Sequence, residues 1–282
     1  MHAAPILNTQ SRFRIMPAIA LAAMCAGFAP AQPPAATTQP QPETQPQAQL
    51  PTARSIIDRH VAAIGGQELI RKTKSMHLTC KLEVAAQNIA GDLEVLAAAP
   101  NKLIVKSVIP GFGESTAGFD GALGWTIDSM SGPQIVLENQ LQDLREKADF
   151  FDVLHDEANF KSVQTVDVSD FEGRPCYKIK LVRASGREVL EFFDVESGLF
   201  AGRIMDLDSP IGTVQQISVE TEYRRFGDRM LATRIIQKMM GQEVAVTVLD
   251  AKFDSLDDSV FAPPAEVMAL VAKPAATSPA AP

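Results

Sequence analysis

The sequence has little of what enzymes and metal proteins usually contain. Its 282 residues include four histidines and three cysteines, and no two histidines have the spacing of a helical zinc site. One serine segment, Gly113-Glu114-Ser115-Thr116-Ala117, approaches a nucleophile elbow but lacks the final glycine of that motif. No glycine-rich segment completes a dinucleotide-binding fingerprint. No motif in the sequence therefore indicates a chemical reaction, and we expect no metal and no cofactor.

Long apolar runs are also scarce. The uncharged run 15–29 follows two arginines and leads into Ala29-Pro30-Ala31, which has the small-residue pattern of a signal-peptidase site. This run is shorter than the roughly 20 residues that a membrane-spanning helix needs. We predict a cleaved secretory signal over 1–31 and hence an exported protein. A retained signal that tethers the chain to the membrane stays open, as does lipidation of Cys25, although Met24 stands where lipoproteins carry a small residue.

Basic residues are outnumbered by acidic ones. There are 26 lysines and arginines against 34 aspartates and glutamates, which gives a formal net charge of −8 at pH 7. A protein of this charge repels polyanions, so we expect no nucleic-acid partner.

Two segments have a composition that cannot bury apolar surface. Residues 32–51 are rich in Gln, Pro, Ala and Thr, and 272–282 is an Ala/Pro tail. We predict a disordered linker and a disordered tail on either side of one folded domain over 52–271.

The rest of the chain shows mainly the period-two alternation of β-strands. After an amphipathic helix over 53–64, Leu78, Cys80 and Leu82 share one face of the first predicted strand. A hairpin follows over 188–206, where Glu196-Ser197-Gly198 forms the turn. Counting roughly a dozen strands and three helical segments, we predict a mainly β protein built on one antiparallel sheet.

Three further positions carry a polar or sulfur-containing side chain that could belong to a site. His155 stands in a His-Asp-Glu loop segment, and we predict that it lies on the surface. Cys80 and Cys176 each fall in a predicted strand, and the sequence leaves open whether they form a disulfide or stay free thiols.

The order of elements resembles a known family. The matching features are Gly-Phe-Asp-Gly-Ala-Leu-Gly-Trp at 118–125, the hairpin over 193–199 and the closing segment 254–264. In these the chain resembles the periplasmic lipoprotein-carrier superfamily, that is, LolA/LolB-like and outer-membrane lipoprotein-sorting proteins. The resemblance implies a half-open β-barrel of about eleven strands in one curved antiparallel sheet, with helices over an apolar concave face. No strand arginine can be matched to the one that holds the helical lid in that family.

The resemblance also implies a function. It indicates a non-enzymatic periplasmic carrier or sensor that binds a lipid or lipoprotein acyl chain, touches the membrane surface transiently and meets an envelope protein partner. The residues predicted to line the ligand cavity are Leu78, Cys80, Leu82, Phe192 and Met205. The membrane-contact loop would use Ile109 and Phe112. The alternative is a protein-interaction module of the same fold whose core is filled by its own side chains and binds no ligand.

Overall fold

The computed structural model describes residues 50–209 and 212–272. The predicted signal over 1–31 lies outside the described residues. So do the linker over 32–51, apart from its last two residues, and the tail over 272–282, apart from Ala272. These segment assignments therefore stay predictions.

The described part of the chain contains thirteen strands and four α-helices. The helices are α1 (Ala53–Ala63), α2 (Gln67–Lys72), α3 (Glu138–Ala148) and α4 (Ala265–Ala272). The strands are β1 (Ser75–Val84), β2 (Ile89–Ala98), β3 (Lys102–Ile109), β4 (Gly113–Phe119), β5 (Gly124–Asp128), β6 (Gly132–Val136), β7 (Phe160–Phe171), β8 (Arg174–Arg183), β9 (Glu188–Asp194), β10 (Phe200–Ser209), β11 (Gly212–Phe226), β12 (Arg229–Met239) and β13 (Gln242–Phe253).

All thirteen strands form one antiparallel sheet. Their order is β6-β5-β4-β3-β2-β1-β13-β12-β11-β10-β9-β8-β7, so β6 and β7 are its two free edges and the sheet does not close. This confirms the predicted mainly β fold with an open antiparallel sheet and is consistent with a half-open barrel. The strand that the sequence analysis missed is β6, which contains Pro133 near its start. Proline is tolerated there because β6 is an edge strand.

The first helix follows directly from local sequence. The Thr52 side chain accepts a hydrogen bond from the Ser55 backbone N–H and so caps the first turn. One face of α1 is buried through Ile56, Ile57 and Val61, and the chain leaves the helix at Gly65, whose φ of +133° suits glycine. This agrees with the predicted helix over 53–64.

Helices cover both sides of the sheet. We call the side that carries α1, α2 and α3 the inner face and the opposite side the outer face. On the inner face, α1 and Leu154 pack against a cluster from β8, β9 and β10 that includes Leu181 and Phe193. On the outer face, Phe261 and the α4 residue Val267 pack against Trp125. Helix α4 was not predicted because it is short and adjoins the Ala/Pro tail.

The Gly-Trp motif at 118–125 has a packing role. Gly118 on β4 is the register partner of Trp125 on β5, and a β-carbon at Gly118 would collide with the indole ring. The motif thus allows β4 to approach the Trp125 ring closely in an outer-face cluster, and it contributes no reactive group.

Candidate functional site

A cavity of about 330 Å³ lies on the inner face, beneath α1, α2 and the segment 149–155. This volume is at the small end of the range of about 300–1,000 Å³ typical of small-molecule pockets. Ten of its nineteen lining residues are apolar: Ile64, Ile70, Met76, Phe150, Val153, Phe193, Phe200, Met230, Leu231 and Phe253. The other nine are polar or charged: His60, Thr73, Asp149, Asp152, His155, Glu191, Arg203, Glu220 and Arg229. A cavity of this composition suits an amphipathic ligand better than a pure hydrocarbon.

A buried ion pair forms part of the cavity wall. His155 Nε2 lies 2.7 Å from Glu191 Oε2, and His155 Nδ1 lies 3.1 Å from the carbonyl oxygen of Val153. Since both ring nitrogens face acceptors, both donate, and the ring is an imidazolium. Burial opposes this charge, but Glu191 outweighs burial and the pKa of His155 is raised.

Glu191 is ionised in spite of its burial. Its side chain is 2% exposed, which by itself would raise the pKa. The charge and hydrogen bond of His155, together with the charges of Arg203 and Arg183, reverse that effect and hold the pKa of Glu191 at about 2. The cavity wall therefore keeps a carboxylate at every physiological pH.

His60, unlike His155, is neutral at neutral pH. Its Nδ1 atom accepts a hydrogen bond of 3.1 Å from the Phe200 backbone N–H, and its ring meets the Phe193 ring edge-on with centroids 5.5 Å apart. Burial among these aromatic rings lowers the pKa of His60 to about 4. The cavity therefore has one charged and one neutral histidine at neutral pH.

A second cavity of about 300 Å³ adjoins the first. The two have Asp152, Arg203 and Glu220 in common. Arg203 Nη1 lies 3.8 Å from Asp152, beyond hydrogen-bond distance. Burial raises the pKa of Glu220, whose carboxyl group lies 3.3 Å from the Tyr223 hydroxyl oxygen. These three side chains form a polar boundary between the two spaces.

Two arginines, one at the end of β8 and one just before β9, hold α3 and the segment 149–155 on the inner face, and we call these two elements the cover. Arg183 at the end of β8 is buried and donates two hydrogen bonds to the Asp152 carboxylate, at 2.9 and 3.1 Å. Arg187 donates to Glu146 at 2.8 Å and also to Asp143, both on α3. Such bidentate and charge-assisted contacts are the stronger class of hydrogen bond. They fasten α3 and the turn after it to the inner face.

The predicted ligand-contact residues of β1 lie on the inner-face side of that strand. Leu78, Cys80 and Leu82 share this side with Met76, which lines the first cavity. The three themselves line neither of the two cavities described above. Their contact with a ligand stays a prediction.

The two remaining predicted contacts are on opposite sides of the sheet. Met205 on β10 lines the second cavity. Phe192 on β9 belongs to an outer-face cluster, where its ring stacks on Phe171 with centroids 4.1 Å apart. Its neighbours Glu191 and Phe193 are the β9 residues that face the first cavity, because adjacent residues of a strand point to opposite faces.

The predicted membrane loop is exposed at its tip. Phe112, in the turn between β3 and β4, is 61% exposed, whereas Ile109 at the end of β3 is half-buried. Contact of this loop with a membrane stays a prediction.

The surface position predicted for His155 is wrong. The 3₁₀ turn Asp152–Leu154 brings His155 under the cover and onto β9, where it is 6% exposed. Its partner Glu191 was not identified from the sequence. A signal was present, because Glu191 lies between Val189 and Phe193 at the inward positions of an apolar strand.

The two cysteines in the described part of the chain are free and buried. Cys80 lies on the inner-face side of β1 and Cys176 packs in the outer-face cluster with Phe192. This settles the question that the sequence left open, since the two thiols are on opposite sides of the sheet.

Within residues 50–209 and 212–272, no three His, Cys, Asp or Glu side chains are grouped so that they would hold a metal ion. The same ranges contain no helix with the length and apolar character needed to cross a membrane.

Comparison with known proteins was informative only for structure. No family model and no curated protein matches the chain. A LolA superfamily protein from Nitrosomonas europaea matches 76% of this chain and 99% of its own, at 16% identity and a TM-score of 0.51. A domain assigned to the outer membrane lipoprotein-sorting proteins, from Vibrio parahaemolyticus, matches 74% and 95%, at 12% identity and a TM-score of 0.50. A DUF1329 family protein from Desulfovibrio piger matches 74% and 97%, at 8% identity and a TM-score of 0.52. Likeness at these identities concerns the fold, and the chain has the fold of the LolA superfamily.

Proposed function

We propose that the protein is an exported, non-enzymatic carrier or sensor that binds a lipid or lipoprotein acyl chain on the inner face of its sheet. The observation that supports this most is the cavity of about 330 Å³, which the side chains of the protein leave unfilled. The shared fold with proteins described as lipoprotein-sorting agrees with it. We also propose an envelope location, which the predicted signal over 1–31 and the same likeness support.

The lining of the cavity indicates how such a ligand would lie. Met230, Leu231 and Phe253 form an apolar wall from β12 and β13, against which a hydrocarbon chain would be removed from water. Arg203 and Glu220 are at the polar boundary with the second cavity. The head group of an amphiphile would lie there.

The competing function is a protein-interaction module with no ligand. In that case the cavity would be an irregularity of packing and would stay empty or hold water. Direct binding of an acyl chain separates the two functions.

The test is the uptake of a fluorescent fatty acid by the protein in solution without vesicles. Leu231→Trp would fill the cavity, and we expect it to weaken probe binding by about tenfold or more, since a bulky side chain excludes the ligand. Val166→Trp is the matched control, because Val166 is an exposed residue of edge strand β7, away from both cavities. Failure of the unaltered protein to take up the probe would refute the carrier proposal.

A further inference from the structure

A row of polar side chains crosses the inner face of the sheet beside the two cavities. Glu191 on β9 is the register partner of Arg203 on β10. Arg203 in turn pairs with Ser218 on β11, and Ser218 pairs with Gln237 on β12. Each of the four lines at least one of the two cavities. Because register partners lie side by side on one face of a sheet, the row is continuous over four strands, and we call it the polar row.

A β-bulge in β10 brings Arg203 into the polar row. The pairing of β9 with β10 shifts between Phe200 and Gly202, so Phe200 and Arg203, three residues apart, both face the first cavity. The bulge needs a glycine, because Gly202 has a φ of +151° and a β-carbon there would collide with the carbonyl oxygen of Ser218. The guanidinium of Arg203 lies over the Phe200 ring, 5.4 Å from its centroid. The local backbone thus holds this arginine at the cavity wall.

Arg203 makes no hydrogen bond within the part of the chain that the structure describes. Asp152 is 3.8 Å away and already accepts two hydrogen bonds from Arg183. Its register partner Glu191 is bound by His155 at 2.7 Å. A guanidinium carries five N–H donors, and donors that are taken out of water without an acceptor cost free energy. Arg203, whose side chain is 27% exposed, therefore offers its donors to the two cavities.

Glu220, which also belongs to the polar boundary, favours its uncharged form. The Tyr223 hydroxyl donates its one proton to the carbonyl oxygen of Phe200, 2.9 Å away. It cannot donate to Glu220 as well, so a hydrogen bond across their separation of 3.3 Å needs the proton on Glu220. Burial raises the pKa of Glu220, which acts in the same direction. An uncharged Glu220 leaves Arg203 without a counter-ion of its own.

The other arginines that line the cavities are engaged already. Arg183 and Arg187 donate to acidic residues of the cover. Arg229 in the first cavity donates to the Thr73 hydroxyl. Arg203 is thus the arginine of the lining that can bind an anion without breaking a hydrogen bond.

We infer that the protein selects acidic amphiphiles, with Arg203 binding the carboxylate or phosphate of the head group while the hydrocarbon chain lies in the first cavity. A planar guanidinium matches two oxygens of either anion, and such bidentate contacts are strong. Ser218 and Gln237, which follow Arg203 in the polar row, are neutral side chains with donors for the remaining oxygens. The inference rests on the proposed acyl-chain binding and names the class of its ligand.

The test compares head groups on one hydrocarbon chain, with the full-length protein in solution. A fluorescent fatty alcohol serves as the tracer, since it has no anion for Arg203. Dodecanoate, dodecyl phosphate and dodecanol are then used to displace it. We expect at least one of the two anions to displace the tracer at a concentration about tenfold or more below that of dodecanol. The difference between dodecanoate and dodecyl phosphate shows which anion the site prefers.

Substitutions of Arg203 assign the preference to its guanidinium. Arg203→Met keeps an apolar stem without the charge, and we expect the anions to become no better than dodecanol while the tracer still binds. Arg203→Lys keeps the charge but not the planar fork, so it should retain only part of the preference. The matched control is Arg225→Met, which removes one exposed charge from β11 outside both cavities and should keep the full preference.

The outcomes separate this inference from the proposed function. Equal displacement by the three compounds would overturn the inference and leave acyl-chain binding intact. So would a preference for anions that R203M retains or that R225M loses. Uptake of a fluorescent fatty acid without uptake of the alcohol would support the inference in its strongest form. Uptake of neither would refute acyl-chain binding itself, and the inference with it.

Discussion

The Nε2 atom of His155 lies 2.7 Å from Oε2 of Glu191, and the two side chains are 5% and 2% exposed. The pair joins the cover segment 149–155 to the middle of β9, at the wall of the inner-face cavity. A buried ion pair holds its position only while both partners are charged and hydrogen-bonded. The cavity wall therefore keeps its structure only while His155 and Glu191 are both charged.

Glu191→Gln should destabilise the fold strongly. It leaves the His155 imidazolium buried without its counter-ion, and removal of one partner of a buried pair costs about 3–5 kcal/mol. Urea unfolding at neutral pH measures the loss. The control is Glu68→Gln, which breaks the exposed pair with Lys72 and should cost about 0–1 kcal/mol. Similar losses of unfolding free energy in the two variants would show that the His155–Glu191 pair does not stabilise the fold as proposed.

His60 should make the protein less stable in mild acid. The pKa of His60 is about 4 when folded and 6.5 when unfolded, so the unfolded chain takes up the proton first as the pH falls. This lowers the free energy of unfolding between pH 6.5 and 4, by up to about 3 kcal/mol in total. Glu191, whose pKa is about 2 when folded, adds its own loss only below its ordinary pKa of 4.5.

The variant His60→Asn tests the origin of that acid slope. Asparagine keeps an acceptor for the Phe200 N–H but does not titrate. Urea unfolding of the variant should give a flatter dependence between pH 6.5 and 4.5 than the unaltered protein shows. An unchanged slope would assign the acid sensitivity to another group.

Arg183→Met should loosen the cover without unfolding the sheet. The arginine makes two hydrogen bonds to Asp152, and hydrogen bonds to charged groups contribute about 1.5–3 kcal/mol. We expect amide hydrogen exchange over 149–155 to become faster by about tenfold or more, with little change in β1 and β2. Lys81→Met, which breaks an exposed pair with Asp92, is the control and should leave 149–155 protected. Faster amide hydrogen exchange along the whole chain would instead indicate global destabilisation.

Cys80 and Cys176 should be free and unreactive in the folded protein. Burial raises the pKa of each thiol to about 11, so the reactive thiolate is rare at neutral pH. Peptide mapping after alkylation should find both modified in denaturant and neither modified in native buffer. A disulfide-linked peptide that joins the two would contradict the structure.

Much of the fold was predictable because period-two alternation is strong in this chain. Helix α1 could be located from its Thr52 cap and its apolar face, and the strand pattern gave one antiparallel sheet. The edge strand β6 and helix α4 were missed because short segments with proline or alanine carry a weak periodic signal.

The site was less predictable, for a physical reason. To predict which residues face a ligand, one must know which side of each strand points inward. We predicted Phe192, whereas the inward residues of β9 are Glu191 and Phe193. The pairing of His155 with Glu191 joins residues 36 apart through a tertiary contact that no local pattern encodes. The arginine clamp of Arg183 on Asp152 is of the same kind.

The most direct measurement is mass spectrometry of organic extracts of the protein, purified from its own envelope without detergent. The account predicts one co-purifying lipid or acylated species in stoichiometric amount, which would also identify the head group that lies near Arg203 and Glu220. Leu231→Trp, processed in the same way, should carry little of it, and Val166→Trp should carry as much as the unaltered protein. Absence of any stoichiometric lipid, together with no uptake of a fluorescent acyl probe, would contradict the account and leave a protein-interaction module.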